Sequence, residues 1–399
     1  MNDKMIDLCR KRDAVVILRG VAEDEACCRL LRLIGSDIEK PDEYVSDYCD
    51  FVAALYRENT SNLSEHLLKV ILEDENICIV QAAKGKSPEP EMREALIHEL
   101  KFFQELSQLT PEDVTDGLDF DGFLPKWTIS DVDFAGSYNE RLSLAGNFGY
   151  GKWAKSCMFI YRDGKIEPVM KHDRQKLSEL FGYEKERRAV IDNTLALIEG
   201  RPAQNVLLYG DAGTGKSSTV KAVVNEYRER GLRLIEIMKE QLRDIPAIID
   251  EISDIPLRFI LFTDDLSFTS GEGCFGALKA MLEGSAAAKA SNTVIYATSN
   301  RRHLIRESFS DREGDDVHRN DSMQEMLSLS ARFGLRVNFS RPDKNEYTSI
   351  VKELAEMNGI VLDEKELSLK AEQFAMASGN GRSPRTAKQF VASLVSGNN

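Results

Sequence analysis

The chain has 399 residues, of which 42% are hydrophobic and 30% charged, and its formal net charge is −14. This balance is typical of a globular protein and excludes a disordered chain, and the length exceeds one ordinary domain, so we expect two or three packed units. No apolar run approaches the roughly 20 residues of a membrane helix, and the seven cysteines form no CxxC pair, so we expect a cytoplasmic protein with reduced thiols, no membrane partner, no disulfide framework and no zinc site.

Acidic side chains are concentrated in the N-terminal part of the chain. Residues 1–140 carry 30 acidic and 15 basic side chains, whereas the remainder is close to neutral. Because an acidic unit repels the phosphate backbone, we disfavour a nucleic-acid partner for this part. We expect a solvated acidic surface, and a face that docks a basic partner is the alternative.

Taken in chain order, the first part is predicted to be helical. Apolar residues recur at the helical period of about 3.6 residues in 63–72 and 95–106, which predicts a mainly helical domain over 1–140. Residues 141–177 are predicted to be a linker with a β-hairpin, because strand-like runs flank Asp163-Gly164, a dipeptide that favours tight turns.

From residue 178 onward, short apolar strands alternate with helical segments. The predicted strands are 205–210, 232–237, 258–265, 293–300 and 335–339. This alternation predicts an α/β nucleotide-binding domain over 178–341, with a parallel sheet covered by helices on both faces. Residues 342–399 contain three predicted helices and no strand, so we expect a small helical lid.

The strongest motif is a phosphate-binding loop between the first of these strands and the helix that follows it. Its residues are Gly210, Asp211, Ala212, Gly213, Thr214, Gly215, Lys216, Ser217 and Ser218. Glycines let backbone amides curl around a β-phosphate, and the helix N-terminus adds its positive end. We therefore predict an ATP site, in which Lys216 reaches the β- and γ-phosphates and the Ser217 hydroxyl is a ligand of Mg²⁺.

Polar side chains stand at the ends of the predicted strands 258–265 and 293–300. Asp264 and Asp265 follow a buried run, so Asp264 is predicted to serve the metal and Asp265 to polarise the attacking water. Acids at this place usually occur as Asp-Glu, and the shorter Asp265 leads to the hypothesis of slow turnover. Asn300 ends the following strand and is expected to hydrogen-bond the water or the γ-phosphate.

Two arginine positions are further candidates for phosphate contacts. Arg332 is predicted to enter the site of a neighbouring subunit and neutralise charge on the γ-phosphate, and Arg336 is the alternative. Arg385 follows Pro384, which suits a first helical turn. Arg385 is therefore predicted to face the nucleotide, with Arg382 as the alternative.

In this order the motifs resemble those of the AAA+ superfamily, and the Asp-Asp pair and the SARFG segment resemble its initiator and helicase-loader branch. Over roughly residues 140–395 the chain is more specifically similar to a bacterial family of AAA+ ATPases known as a domain of unknown function, number eight-fifteen. The segments that carry this resemblance are FGYEKERRAVIDNT (181–194), YGDAGTGKSS (209–218), DDLSF (264–268), ALKAMLEG (277–284), YATSNRRHL (296–304), SLSARFG (328–334) and SPRTAKQF (383–390).

The resemblance implies ATP binding and the AAA+ roles given above, and by analogy it places Gly182 and Tyr183 near the adenine. Two positions depart from the expected pattern: Thr269 and Ala331 stand where acidic residues are expected. Both departures bear on the rate of hydrolysis and on the subunit contact, and they leave ATP binding intact.

Three functions compete at this point. The expected one is an ATPase, completed between subunits of a homo-oligomer, that remodels or controls an unidentified protein client. The second is a nucleotide-controlled binding switch with slow turnover. The third, a nucleic-acid loader, is disfavoured because the chain offers no broad basic patch. The polar segment 303–328 is predicted to be a surface loop rather than a partner contact.

Overall fold

The computed structural model describes residues 3–266, 291–300, 331–360 and 362–396, together with Leu278 and Leu282. The chain divides into two compact units, Met1–Lys155 and Ser156–Asn399. Thr269, the predicted loop at 303–328 and most of the segment 277–284 lie outside the described residues. None of the described helices is both long and apolar enough to cross a membrane.

The first unit is helical. Its α-helices are α1 Asp3–Arg12, α2 Glu25–Leu33, α3 Pro41–Arg57, α4 Leu63–Glu73, α5 Ile77–Ala83, α6 Pro90–Ser107, α7 Pro111–Thr115, α8 Phe134–Ser143, α9 Ala145–Phe148 and α10 Lys152–Lys155. Their apolar faces share one core that includes Phe51, Leu67 and Phe103. The apolar stripes read from the sequence at 63–72 and 95–106 therefore lie on α4 and α6, and both face this core.

A buried polar contact joins α2 to α4 in this unit. The carboxylate of Asp24 accepts a hydrogen bond from the Cys27 N–H at 2.9 Å, and so caps α2. The same oxygen, Oδ1, accepts from the His66 Nε2 at 2.9 Å. His66 and Cys27 are buried, so one carboxylate satisfies donors on two helices.

The second unit is built on a sheet. Its strands are β1 Met158–Arg162, β2 Lys165–Pro168, β3 Val206–Gly210, β4 Leu232–Glu236, β5 Arg258–Thr263, β6 Thr293–Ser299 and β7 Leu335–Phe339. Within the described residues they form one sheet in the order β2-β1-β4-β5-β6-β3-β7. The β1–β2 pair is antiparallel, whereas the other pairs are parallel. Because β6 lies between β3 and β5, the carboxyl ends of these three strands meet at one edge of the sheet.

Helices complete the second unit. The α-helices whose ranges lie in the described part of this unit are α11 Glu184–Ile198, α12 Lys216–Tyr227, α13 Ile245–Ile252, α14 Lys344–Met357, α15 Glu364–Ala377 and α16 Pro384–Val395. Strands β5 and β6 are buried along almost their whole length, which requires cover on both faces of the sheet. Helices α14 to α16 pack around a separate core that includes Tyr347, Leu367 and Phe390. The predicted fold class, a parallel α/β sheet with a helical lid and a helical N-terminal part, is confirmed.

The boundary between the units differs from the one expected near residue 140. Helices α8 and α10 contact α6 and α4 of the first unit, so the first unit extends to Lys155. The hairpin β1–β2, which turns at Asp163-Gly164, pairs through β1 with β4. It therefore forms one edge of the sheet, whereas the sequence pattern predicts a linker over 141–177.

Candidate nucleotide site

The phosphate-binding loop leaves the sheet at Gly210, where the backbone adopts a φ of 133°. A Cβ atom at this position would lie 2.2 Å from the carbonyl oxygen of Phe339 at the end of β7. The next residue, Asp211, donates its N–H to that same oxygen at 3.1 Å. Only glycine suits a backbone that has this conformation and approaches a neighbouring strand so closely. Gly213 and Gly215 also have positive φ angles, 78° and 92°.

Lys216, the first residue of α12, is held inside the loop. Its Nζ donates to the carbonyl oxygens of Gly210 at 3.1 Å and Asp211 at 2.7 Å, and to Oδ1 of Asn300 at 3.0 Å. The residue is only 6% exposed. Burial lowers the pKa of Lys216, although the carboxylates of Asp211 and Asp264 oppose this shift. A desolvated cation therefore lies at a helix N-terminus, where anions bind favourably.

The acidic pair at the end of β5 is connected to two other motifs. The Ser217 hydroxyl donates to Oδ1 of Asp264 at 2.5 Å, and the Thr298 hydroxyl donates to the same oxygen at 2.5 Å. Asn300 donates its Nδ2 to Oδ1 of Asp265 at 2.8 Å. The ends of β3, β5 and β6 thus supply one continuous polar network.

The contact between Ser217 and Asp264 bears on the predicted metal. A hydroxyl and a carboxylate are oxygen ligands of the type that Mg²⁺ prefers, usually in combination with phosphate oxygens and water. Ser217 belongs to the phosphate-binding loop, and Asp264 lines the same cavity and is solvent-exposed. The side chains present therefore fit a magnesium ion that is bound together with a nucleotide.

These residues surround a cavity of about 490 Å³, a volume within the usual range of small-molecule sites. One part of its lining consists of residues of the phosphate-binding loop and the polar residues near it, which are Ala212, Gly213, Thr214, Gly215, Lys216, Ser217, Ser218, Asp264, Asp265 and Asn300. Its apolar lining includes Leu180, Phe181, Tyr183, Phe339, Ile350 and Leu354. The cavity therefore offers a phosphate-binding end and an apolar end, as a nucleotide requires.

Tyr183 shapes the apolar end. Its backbone is left-handed, with a φ of 59°, and its hydroxyl donates to the carbonyl oxygen of Ser340 at 2.7 Å. Its ring centroid lies 5.2 Å from that of Phe339, and burial raises the pKa of its hydroxyl. Gly182, with a φ of 70°, lies against Ile350 of the lid. The position expected near the adenine is therefore a fixed aromatic surface beside the lid.

The two candidate lid arginines occupy different surroundings. Arg385 lines the cavity, and its backbone N–H donates to the carbonyl oxygen of Gly213 at 3.2 Å. Arg382 instead forms two hydrogen bonds of 2.8 Å with the carboxylate of Glu372 and lies outside the cavity lining. This arrangement favours Arg385 as the lid residue that faces the nucleotide.

The candidates for the subunit contact lie away from this cavity. Neither Arg332 nor Arg336 is among the lining residues. Arg332 is partly buried, and Arg336 is exposed on β7. Arg301 and Arg302, which follow Asn300, lie outside the described residues.

Several polar residues near the nucleotide site were not predicted from the sequence. Thr298, Arg187 and Lys388 line the cavity, and Arg341 donates its backbone N–H to Oδ2 of Asp211 at 3.1 Å. Lys388 follows Arg385 by three residues in one helix, and this spacing places both on the same face. The helical spacing was therefore a usable signal for Lys388. The positions of Thr298, Arg187 and Arg341 near the site follow only from strand register and tertiary contacts.

Two comparisons with known proteins cover part of the chain. The replication factor C large subunit of Staphylothermus marinus is 29% identical over 126 residues, which are 30% of this chain and 29% of that protein. The RuvB Holliday junction branch migration motor of Thermotoga maritima is 16% identical with a TM-score of 0.39, over 55% of this chain and 64% of that chain. A variant of that motor gives a TM-score of 0.37. The match thus spans less than two thirds of the length of each relative.

A family model matches the chain over residues 154–398, which include the whole cavity described above. This match extends over more than half of the 399 residues. The AAA+ assignment itself follows from the order of the motifs and from the strand order that brings them to one edge of the sheet. The chain therefore belongs to the family described as "Protein of unknown function (DUF815)", and its phosphate-binding loop, its acidic pair and Asn300 line one cavity.

Proposed function

We propose that this protein binds Mg-ATP and hydrolyses it at sites completed between subunits, and that hydrolysis remodels or controls a partner assembly. The observation that carries the proposal is the hydrogen-bonded chain from Lys216 through Asn300 to Asp265. It joins a phosphate-binding residue to a carboxylate that lines the same cavity. Positioning and charge stabilisation are the main requirements of phosphoryl transfer.

The residues that line the cavity have distinct roles in this proposal. Lys216 and the loop amides bind the phosphates, and Arg385 contacts them from the lid. Ser217 and Asp264 would hold a magnesium ion, which would supply positive charge beside the phosphates. Asp265 orients and polarises the attacking water as a general base. Asn300 orients the carboxylate of Asp265 and the terminal phosphate relative to each other.

Arg332 is proposed to act on the site of a neighbouring subunit. It lies near the start of β7 and is absent from the lining of its own chain's cavity. An arginine supplied in trans can stabilise the charge that develops on the γ-phosphate, an effect of about 10³–10⁵ in kcat in other phosphoryl-transfer enzymes. The proposal therefore requires a homo-oligomer for full activity.

The first experiment is steady-state ATP hydrolysis with Mg²⁺ across a range of protein concentrations. Specific activity should rise with concentration and fall in Asp265→Asn and Arg332→Ala. Asp250→Asn, an exposed acid on α13 outside the cavity lining, is the matched control and should remain active. Arg336→Ala tests the alternative candidate for the arginine that enters the neighbouring site. Equal activity at all concentrations, with Arg332→Ala unimpaired, would exclude a shared site.

Mixing two inactive variants tests the trans arrangement directly. A subunit with Arg332→Ala keeps Asp265, and a subunit with Asp265→Asn keeps Arg332. If the two variants mix at random in a closed ring, about one quarter of the subunit interfaces combine an intact Asp265 of one subunit with an intact Arg332 of its neighbour. Partial recovery of activity on mixing supports completion between subunits, whereas no recovery indicates that both residues act within one chain.

A slow-turnover binding switch is the second candidate, and one contact favours it. Asn300 donates to Oδ1 of Asp265, so this oxygen has one fewer lone pair with which to accept a hydrogen bond from water. Tight ATP binding, negligible hydrolysis and partners retained only in the ATP state would support the switch. A turnover above about 10 s⁻¹, the median for enzymes, would exclude it.

A further inference from the structure

The turn that carries both acidic residues is fastened to one residue of the neighbouring strand, Thr298. Its hydroxyl donates to Oδ1 of Asp264 at 2.5 Å and accepts the N–H of Asp265 at 2.8 Å. Its carbonyl oxygen accepts the N–H of Leu266 at 2.7 Å. Three consecutive residues at the end of β5 are therefore bound to a single residue of β6.

The backbone at this turn needs such support. Asp265 has a φ of 51°, a left-handed conformation that is unfavourable for residues other than glycine and is tolerated best by Asn and Asp. Such conformations persist where surrounding contacts determine them. Here the contact is the hydrogen bond from the Asp265 N–H to the Thr298 hydroxyl. The bond fixes the turn that directs the Asp265 side chain toward Asn300.

The side chain of Thr298 is held in a fixed position. It is 2% exposed, and β6 is paired with β3 and β5 on its two sides. A β-branched side chain on a central strand has few accessible rotamers. The hydroxyl has one proton to donate and lone pairs to accept, and it uses both capacities here.

We propose that Thr298 is a positioning residue, whose hydroxyl sets the places of both carboxylates for metal binding and hydrolysis. This inference rests on the proposed function, because it assigns Asp264 to the metal and Asp265 to the attacking water. Thr298 acts through these two acids. Removal of its hydroxyl should therefore reduce turnover and weaken the effect of Mg²⁺, and leave Mg²⁺-free nucleotide binding intact.

The test compares Thr298→Val, which keeps the shape and loses the hydroxyl, with Thr298→Ser, which keeps the hydroxyl. Thr298→Val should lower kcat by about 10- to 100-fold and raise the Mg²⁺ concentration that half-saturates nucleotide binding by about tenfold, the usual effect of losing a residue that orients a metal ligand. Thr298→Ser should lie within about threefold of wild type on both measures. Thr293→Val, a threonine at the other end of the same strand, should match wild type.

Binding is followed with a fluorescent ATP analogue, with EDTA and over a Mg²⁺ titration, after circular dichroism has confirmed folding of each variant. If Thr298→Val does not fold, Thr298→Ala takes its place. A hydroxyl-free variant that equals wild type on both measures would overturn the inference, and so would a Thr298→Ser variant as impaired as Thr298→Val.

The two proposals can fail separately. A wild type that binds nucleotide in a Mg²⁺-dependent way without hydrolysing it would contradict the ATPase proposal, and the Mg²⁺ titration would still decide the role of Thr298. A wild type that hydrolyses ATP while Thr298→Val is unaffected would overturn only the inference about Thr298. If nucleotide affinity does not depend on Mg²⁺ and the wild type does not hydrolyse ATP, both proposals would be overturned.

Discussion

The Nζ atom of Lys216 lies 3.0 Å from Oδ1 of Asn300, although 84 residues separate them in the chain. The contact arises because β3 and β6 are adjacent parallel strands. Lys216 begins the helix after β3, and Asn300 directly follows β6. In the structure Lys216 also bonds to two carbonyl oxygens of its own loop, so a bound phosphate would compete with three existing acceptors.

Replacement of Lys216 should abolish most nucleotide binding. Lys216→Ala removes a desolvated cation from the phosphate end of the cavity, and we expect ATP affinity to fall at least tenfold, about 1.4 kcal/mol. Lys221→Ala is the matched control, because Lys221 lies on the same helix, pairs with Glu236 at 3.2 Å and does not line the cavity. Equilibrium binding of a fluorescent ATP analogue measures both. Equal ATP affinities of the two variants would show that Lys216 does not contribute to nucleotide binding.

Substitution of the two candidate lid arginines should have different effects, one on ATP binding and one on stability. Arg385→Ala should weaken ATP binding or turnover about tenfold and leave folding unchanged, because its side chain is exposed at the cavity. Arg382→Ala should leave the nucleotide contacts intact and lower stability, because it leaves the largely buried Glu372 carboxylate without its bidentate partner. Titration calorimetry with ATP and thermal melting give the two readouts. The opposite pattern would identify Arg382 as the lid residue.

The glycines of the phosphate-binding loop should differ in their tolerance of a methyl group. Gly210→Ala places a Cβ atom against the backbone of β7, and we expect a loss of more than about 3 kcal/mol in unfolding free energy. Gly215→Ala meets no atom within 4 Å, so only its left-handed backbone, with a φ of 92°, should cost about 1–2 kcal/mol. Denaturation followed by circular dichroism compares the two. A milder effect at Gly210 than at Gly215 would contradict the packing described here.

Acid should destabilise the N-terminal unit through Asp24. Burial alone would raise the pKa of Asp24, but hydrogen bonds from His66 and Cys27 outweigh it and lower the pKa to about 2. A carboxylate with a depressed pKa contributes stability that is complete above its unfolded-state pKa of about 4 and is lost as the pH falls toward 2. Because the carboxylate is partly exposed, we expect this contribution to be about 1 kcal/mol.

Asp24→Asn provides the comparison, because asparagine also caps helices. The variant should be less stable than wild type at pH 7, and the difference should shrink steadily as the pH falls from 4 through 2. Urea denaturation of the full chain can follow this unit selectively, since both tryptophans, Trp127 and Trp153, are buried within it. A constant difference across this pH range would show that the ionised carboxylate is not responsible.

Much of the second unit could be predicted from local sequence. The strands and the loop at Gly210 follow from apolar runs and from a motif whose chemistry is contained in nine consecutive residues. The role proposed for Thr298 could not be predicted in this way, because it depends on the register in which Thr263 pairs with Ala297. The choice between Arg382 and Arg385 likewise depends on Glu372, a residue on another helix. The limit expected near residue 140 differs from the unit limit at Lys155 because α8 and α10 pack on α6 and α4, and such long-range contacts leave no local signal in the sequence.

The hydrogen bond from the Arg385 N–H to the Gly213 carbonyl oxygen joins lid and phosphate loop through main-chain atoms alone. Ordinary substitutions at either residue leave those atoms in place, so point mutations can alter the chemistry of the lid while its alignment on the loop persists. Proline at position 385, which lacks the N–H, or a change in the length of the preceding turn would break that alignment. In directed evolution of this protein, variation in the length of that turn should therefore be selected against more strongly than variation in its composition.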